Sequence, residues 1–138
     1  MLIAINFAED WKSRVRWASA YAQRFGVKLW LLHVEEPDAA YVEEGADLNT
    51  VREHLVEQTK TRHAELVALA KELSSKQILV EVLFEQGHPA EVIEAQAEKV
   101  AADLLIVGSR PKAMISRLLL RDIADTIRRE AAEPVFIH

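Results

Sequence analysis

Gly108-Ser109-Arg110, with the basic residues Lys112, Arg117 and Arg121 that follow, is the stretch of this sequence best suited to binding chemistry. Glycine lets backbone approach a ligand closely, and guanidinium groups hold phosphates through paired contacts. Such a set describes an oxyanion or nucleotide contact in which side chains supply the donors. Asp122 follows Arg121 and opens an amphipathic pattern. At a helix start its carboxylate would accept the orphan N–H groups that a phosphate otherwise occupies, and its charge would repel a triphosphate. A simpler reading pairs Arg121 with Asp122 or Asp125 and leaves the other cations solvated.

Elsewhere the reactive residue types do not assemble. His33, His54, His63, His88 and His138 show no metal-ligand spacing of the HExxH kind. His54 and His63 are nine positions apart in one helical pattern, so they point to opposite faces. His33 falls in a strand and reads as a satisfied core group, whereas His88 falls in a loop beside the expected binding crevice and is the histidine with a ligand role to weigh. Glu35 and Glu36 are adjacent in an extended segment, point to opposite sides and read as solvated. Trp11, Trp17 and Trp30 read as packing or interface residues. Glu9 and Asp10 invite comparison with a phospho-receiver, but Phe84-Glu85-Gln86-Gly87 offers no acceptor aspartate. There is no cysteine, no G-x-S-x-G elbow and no Walker loop, so no catalytic or metal constellation is expected.

A net charge of -5 argues against a nucleic-acid partner. No apolar run approaches the roughly 18–20 residues that span a bilayer. The opening Met1-Leu2-Ile3-Ala4-Ile5 lacks the basic region of a signal peptide, and the absence of cysteine suits a reducing compartment, so a cytoplasmic location is expected.

These residues must be positioned by a framework of alternating elements. With 138 residues the chain fits one domain, 1–138. Five apolar runs read as strands: Leu2–Phe7, Val27–Val34, Ile78–Phe84, Asp103–Gly108 and Pro134–His138. Between them lie four helical patterns. The first is capped by Asp10, carries Val15, Ala18, Tyr21, Ala22 and Phe25 on one face, and is stopped by Gly26. The second runs from about Asp47 to Ser74, with Leu48, Val51, Leu55, Leu66, Leu69 and Leu73 inward; Gln58, Thr59 and Arg62 interrupt that side, so its middle is expected to project into solvent. The third starts at Pro89, and the fourth runs from about Asp122 to Ala131. Strands alternating with helices predict a three-layer, doubly wound α/β fold around a mostly parallel five-stranded sheet. Ligands of such sheets bind beyond the carboxyl ends of the strands where the order reverses, here Asn6-Phe7-Ala8 and Gly108-Ser109-Arg110.

The first strand, Leu31-Leu32-His33-Val34, Gly87-His88-Pro89, Asp103 to Arg110, Leu118-Leu119-Leu120 and Pro134-Val135-Phe136-Ile137, in that order, resemble the universal stress protein family along essentially the whole chain. The resemblance implies strand order 3-2-1-4-5 and, in ATP-binding members, a phosphate motif of glycine, two residues, glycine, nine residues, then glycine and a hydroxyl residue. Gly108 matches its first position. Pro111, Arg121 and Asp122 stand where the second glycine, the third glycine and the hydroxyl residue belong, and Asn6 replaces the aspartate usual after the first strand.

The expectation is therefore a non-enzymatic stress-response protein with a degenerate nucleotide crevice formed by Asn6, Val34, Gly108, Ser109, Arg110, Arg121 and Asp122. It would act through partner contacts and as a homodimer through Val135, Phe136 and Ile137, because the family commonly pairs that strand across a two-fold axis. The alternative is a member that holds ATP or AMP, with Val34 against the adenine and Gly108, Ser109 and Arg110 near ribose and phosphates. A nucleotide hydrolase is the third reading, against which Phe7-Ala8-Glu9-Asp10 replaces the glycine- and serine-rich loop such enzymes carry.

Overall fold

Leucine, isoleucine and valine fill both sides of the central strands, and the structure buries both. The computed structural model describes residues 1–7, 10–36, 47–108 and 135–137. Its elements are β1 (Leu2–Ala4), α1 (Trp11–Phe25), β2 (Leu29–Glu35), α2 (Leu48–Ser75), β3 (Val80–Gln86), α3 (Pro89–Lys99), β4 (Leu105–Val107) and β5 (Val135–Ile137). All five strands form one parallel sheet in the order β3-β2-β1-β4-β5. The expected fourth helix and the loop before α2 lie outside the described residues.

Register assigns each side of the sheet. Ile3 pairs with Leu31 on one side and with Ile106 on the other, and all three enter the core beneath α1 and α2. Leu2, Leu32 and Leu105 alternate to the opposite face, where Ala90, Ile93 and Ala97 of α3 cover them. This two-sided covering explains why the strands read as unbroken apolar runs.

Helix α1 packs through Trp11, Val15, Ala18 and Ala22. Tyr21 and Phe25, expected on that inner face, are exposed instead, at 36% and 60%. The small Ala18 and Ala22 let the helix axis lie close to the sheet, and the aromatic rings run along its flank. There Trp17, Tyr21 and Phe25 follow one another at four-residue spacing, with centroids 5.5 and 4.6 Å apart. Asp10 occupies the N-cap position but makes no side-chain cap bond, since its backbone (φ -93°, ψ 3°) is not the extended form that aims a carboxylate at the first turn. Gly26 ends the helix at φ 65°, its N–H on the Ala22 carbonyl, a left-handed geometry that favours glycine.

Asp47 caps α2 as expected, accepting from the Asn49 amide and the Thr50 hydroxyl. At 28 residues this helix is longer than the sheet is deep; Leu66 and Leu73 are buried, Val51, Leu55 and Leu69 are half-buried, and residues 56–61 are exposed. Strand boundaries also differ from the sequence reading. β3 starts at Val80 and runs to Gln86, because Ile78 is still tied to the end of α2 through its N–H on Leu73, leaving Leu79 68% exposed. The end of β2 moves to Glu35, paired with Gln86. β1 pairs only to Ala4, although Ile5 still donates to Leu32 (2.7 Å), and a positive φ of 56° at Phe7 turns the chain away.

Replacing Leu66 by alanine, with no exposed surface in the native chain, is expected to cost about 2–5 kcal/mol in urea unfolding. Leu79→Ala, at 68% exposure, should change stability by less than about 0.5 kcal/mol.

Candidate functional site

The order β2-β1-β4 makes the carboxyl ends of β1 and β4 the place where successive connections leave in opposite directions, with α1 on one face and α3 on the other. This topology opens the crevice that α/β proteins use for ligands. Asn6 lies at its rim, exposed; Gly108 follows β4 and is half-buried; Val34 is half-buried and packs with the α3-side core. Ser109, Arg110, Arg121 and Asp122 lie outside the described residues, as do Lys112 and Arg117, so the expected helix cap by Asp122 has no described geometry.

The structure adds a residue that sequence reasoning missed. Arg14 is 6% exposed, and its Nη2 donates to Asn6 Oδ1 at 3.2 Å. Its guanidinium also lies close to Gly108: a Cβ added there would stand 3.0 Å from Arg14 Cζ and Nη2. One cationic head thus bridges the ends of β1 and β4, and glycine at 108 is what lets it approach. Burial pulls the Arg14 pKa down while the Asp10 carboxylate one turn earlier pulls it up; a guanidinium keeps its charge regardless. Arg14 Nε has no hydrogen-bond partner among the described residues. A signal for this residue existed in the sequence: Arg14 directly precedes Val15 and is four before Ala18, on the edge of the buried arc of α1.

On the α1–α2 side of the sheet, the ends of β1, β2 and β3 are closed by a second cluster. Glu35, expected to be solvated, instead accepts from Thr59 Oγ1 on both carboxylate oxygens at 2.9 Å, with Arg62 Nη1 at 3.8 Å. Because β2 runs through residue 35, Glu35 shares a face with His33 and turns toward α2, whereas Glu36 is beyond the strand and exposed. Thr59 and Arg62, read as interruptions of the inner side of α2, are the residues that α2 offers to this carboxylate. His33 is buried: Nδ1 donates to the Ile5 carbonyl at 2.7 Å, while Nε2 has no hydrogen-bond partner among the described residues and stands 3.7 Å from Glu35 Oε1. Phe7 meets the Trp11 and His33 rings edge-on, and His63 stacks on Phe84 with centroids 4.0 Å apart. His88 is exposed at the N-cap of α3 and makes no side-chain cap bond.

A groove of about 570 Å³ between α1 and α2, floored by Val15, Leu69 and Leu73, lies away from the crevice and is crossed by the Lys12–Glu65 ion pair. No group of three histidine, cysteine or acidic side chains suited to a metal occurs among the described residues.

The sequence profile of the Universal stress protein family matches residues 1–137. The chain belongs to this family. A universal stress protein of Thermus aquaticus, from the 3′ region of QAH/OAS sulfhydrylase, is 29% identical over 137 residues, 99% of this chain and 96% of the relative. Among solved structures, the universal stress protein UspA of Lactobacillus plantarum matches with a TM-score of 0.76 at 17% identity, covering 99% of this chain and 94% of that one. A universal stress protein in complex with cAMP matches with a TM-score of 0.68 at 17% identity, covering 99% and 93%. This universal stress protein domain also spans 42% of a longer Archaeoglobus fulgidus universal stress protein chain, with 99% of itself covered, 21% identity and a TM-score of 0.70. These likenesses show the Rossmann-like α/β fold.

Thr59→Val should lower stability by roughly 0.5–1 kcal/mol by removing the donor to Glu35, and Glu36→Gln should leave it within about 0.5 kcal/mol; urea unfolding of both variants measures the contrast.

Proposed function

We propose that this universal stress protein is a non-enzymatic, cytoplasmic stress-response protein whose crevice is closed to a nucleoside triphosphate, and that it acts as a homodimer through contacts with other proteins. The observation that carries this reading is Arg14 lying between Asn6 and Gly108, in the gap at the switch point. A guanidinium held there occupies space beside the glycine that begins the family's phosphate motif. Pro111 supplies no N–H, Arg121 adds bulk and Asp122 adds negative charge at the positions where that motif supplies bare backbone and a hydroxyl. In the dimer, β5 is the pairing element: it is the sheet's edge strand, and Val135, Phe136 and Ile137 give it an apolar sequence that proteins rarely leave bare. No helix among the described residues is long and apolar enough to cross a membrane.

A second reading, a member that binds ATP or AMP, is favoured by the structural neighbour in complex with cAMP. In that arrangement Val34 borders the base, and Gly108, Ser109 and Arg110 border ribose and phosphate.

Calorimetry with ATP and with AMP, each with and without magnesium, separates the two. The expected outcome is no ATP binding in the micromolar range, and its appearance would overturn the closed-crevice reading. The double variant Arg121→Gly with Asp122→Ser should gain ATP affinity. Sedimentation should give twice the protomer mass, reduced to one protomer by Phe136→Arg; a wild-type chain that sediments as a monomer refutes the dimer.

A further inference from the structure

Helices α1 and α2 lie side by side on one face of the sheet and run in the same direction, since each returns from one parallel strand to the start of the next. They are tied to each other at two places. Lys12 reaches Glu65 at 3.2 Å, and three turns further along α1 the Gln23 Nε2 donates to the Lys76 carbonyl at 3.4 Å. Between these ties, roughly 16 Å apart at ~1.5 Å per residue, a groove of about 570 Å³ stays open. The facing residues are too short to fill it. Ala20 from α1 and Ala68 from α2 offer a methyl group each, and Ser19 turns its hydroxyl back to the Val15 carbonyl of its own helix at 2.6 Å. The floor is apolar, made by Val15, Leu69, Leu73 and Ile78. An apolar cleft of this size with a few convergent polar groups has the dimensions of a small-molecule site.

The rim sets the sign of the ligand. Its described lining carries Lys12, Arg16 and Lys76 together with two carboxylates, Glu65 and Glu72. Lys12 pairs with Glu65, and Lys76 pairs with Glu72 at 2.7 Å. Both carboxylates are engaged in those pairs, and Arg16 is the fifth charge, one turn from Lys12 on the same side of α1. We infer that this groove is a binding site for an amphipathic organic anion, an alkyl chain ending in a carboxylate. The carboxylate meets the exposed Arg16 guanidinium at the rim, where its two oxygens match the planar donor fork and neither charge leaves water entirely. The chain lies along Leu69 and Leu73 toward Ile78, a run of roughly 10 Å from the level of Arg16 to that of Gln23 at ~1.5 Å per residue. Removing the chain from water supplies the affinity, and the cation supplies the choice between heads of opposite charge. Asn6, Arg14, Val34 and Gly108 are not among the described lining residues, so occupancy of the groove is independent of what the crevice takes.

The test is calorimetry on the full chain with decanoate and with decyltrimethylammonium, which share a chain and differ in head charge, each below its micelle concentration. The wild type should bind decanoate and prefer it to the cationic amphiphile. Arg16→Gln should weaken decanoate by about fivefold, the upper range for a solvent-accessible ion pair, and should leave the cationic amphiphile no weaker. Ala68→Leu fills the groove from an exposed helical position that leucine suits, so it should abolish decanoate binding without lowering the melting temperature. Ala20→Leu makes the same change from α1 and keeps the test decisive if Ala68→Leu fails to fold. A wild type that ignores decanoate or takes both heads equally overturns the site. Decanoate binding that is unchanged by Arg16→Gln, or that survives the groove-filling leucine, overturns it as well. A change in sedimenting mass on Ala68→Leu would assign the groove to a second copy of this chain and would likewise refute the ligand site.

Discussion

β1 is held in parallel register by β2 on one side and β4 on the other, with Ile3 between Leu31 and Ile106, and the rest of this universal stress protein is arranged around that placement. A strand flanked on both sides and covered on both faces must be apolar along its length, and Leu2, Ile3 and Ile5 are each 3% exposed or less. The same placement sends the chain to one side of β1 after α1 and to the other after α3. The crevice at the carboxyl ends of β1 and β4 is a product of that reversal, before any side chain is considered. Right-handed crossovers then decide which helices cover which face: α1 and α2 lie together on one, α3 on the other.

Two polar clusters stand at this carboxyl edge, and both are assembled from residues distant in sequence. In one, α1 brings a guanidinium to the ends of β1 and β4. In the other, α2 brings a hydroxyl and a guanidinium to a carboxylate at the end of β2, above the imidazole of His33. The His33 ring ties the clusters to the same strand, since its Nδ1 donates to the carbonyl of Ile5, one residue before Asn6. Phe7 follows at φ 56° and packs edge-on against that ring, so the exit of β1 is constrained from both sides. The buried His33–Ile5 bond is strengthened by its low-dielectric surroundings, whereas the Thr59–Glu35 bonds lie exposed to solvent.

Much of the framework was legible in the sequence because it depends on local pattern. The apolar runs located all five strands, Gly26 marked the end of α1, Asp47 and Pro89 marked the starts of α2 and α3, and the family resemblance supplied the strand order. Boundaries were less legible. Ile78 looks like strand by composition and is held by the α2 terminus, and Glu35 looks like loop by charge and pairs with Gln86. Tyr21 and Phe25 match a helical inner face by period, yet their bulk is excluded where alanines bring α1 close to the sheet. Of the residues named for the crevice, Asn6, Val34 and Gly108 have described positions there, whereas Ser109, Arg110, Arg121 and Asp122 lie outside the described residues.

The sequence by itself determined the class of fold, the family and the departures from the phosphate motif, because periodicity, turn residues and motif spacing are properties of neighbouring positions along the chain. Only the tertiary structure decided that Arg14 meets Asn6 and Gly108, and that Glu35 meets Thr59. Those contacts join positions 8 to 94 residues apart, so they depend on helix axis, sheet register and close approach at a glycine, none of which a linear pattern encodes.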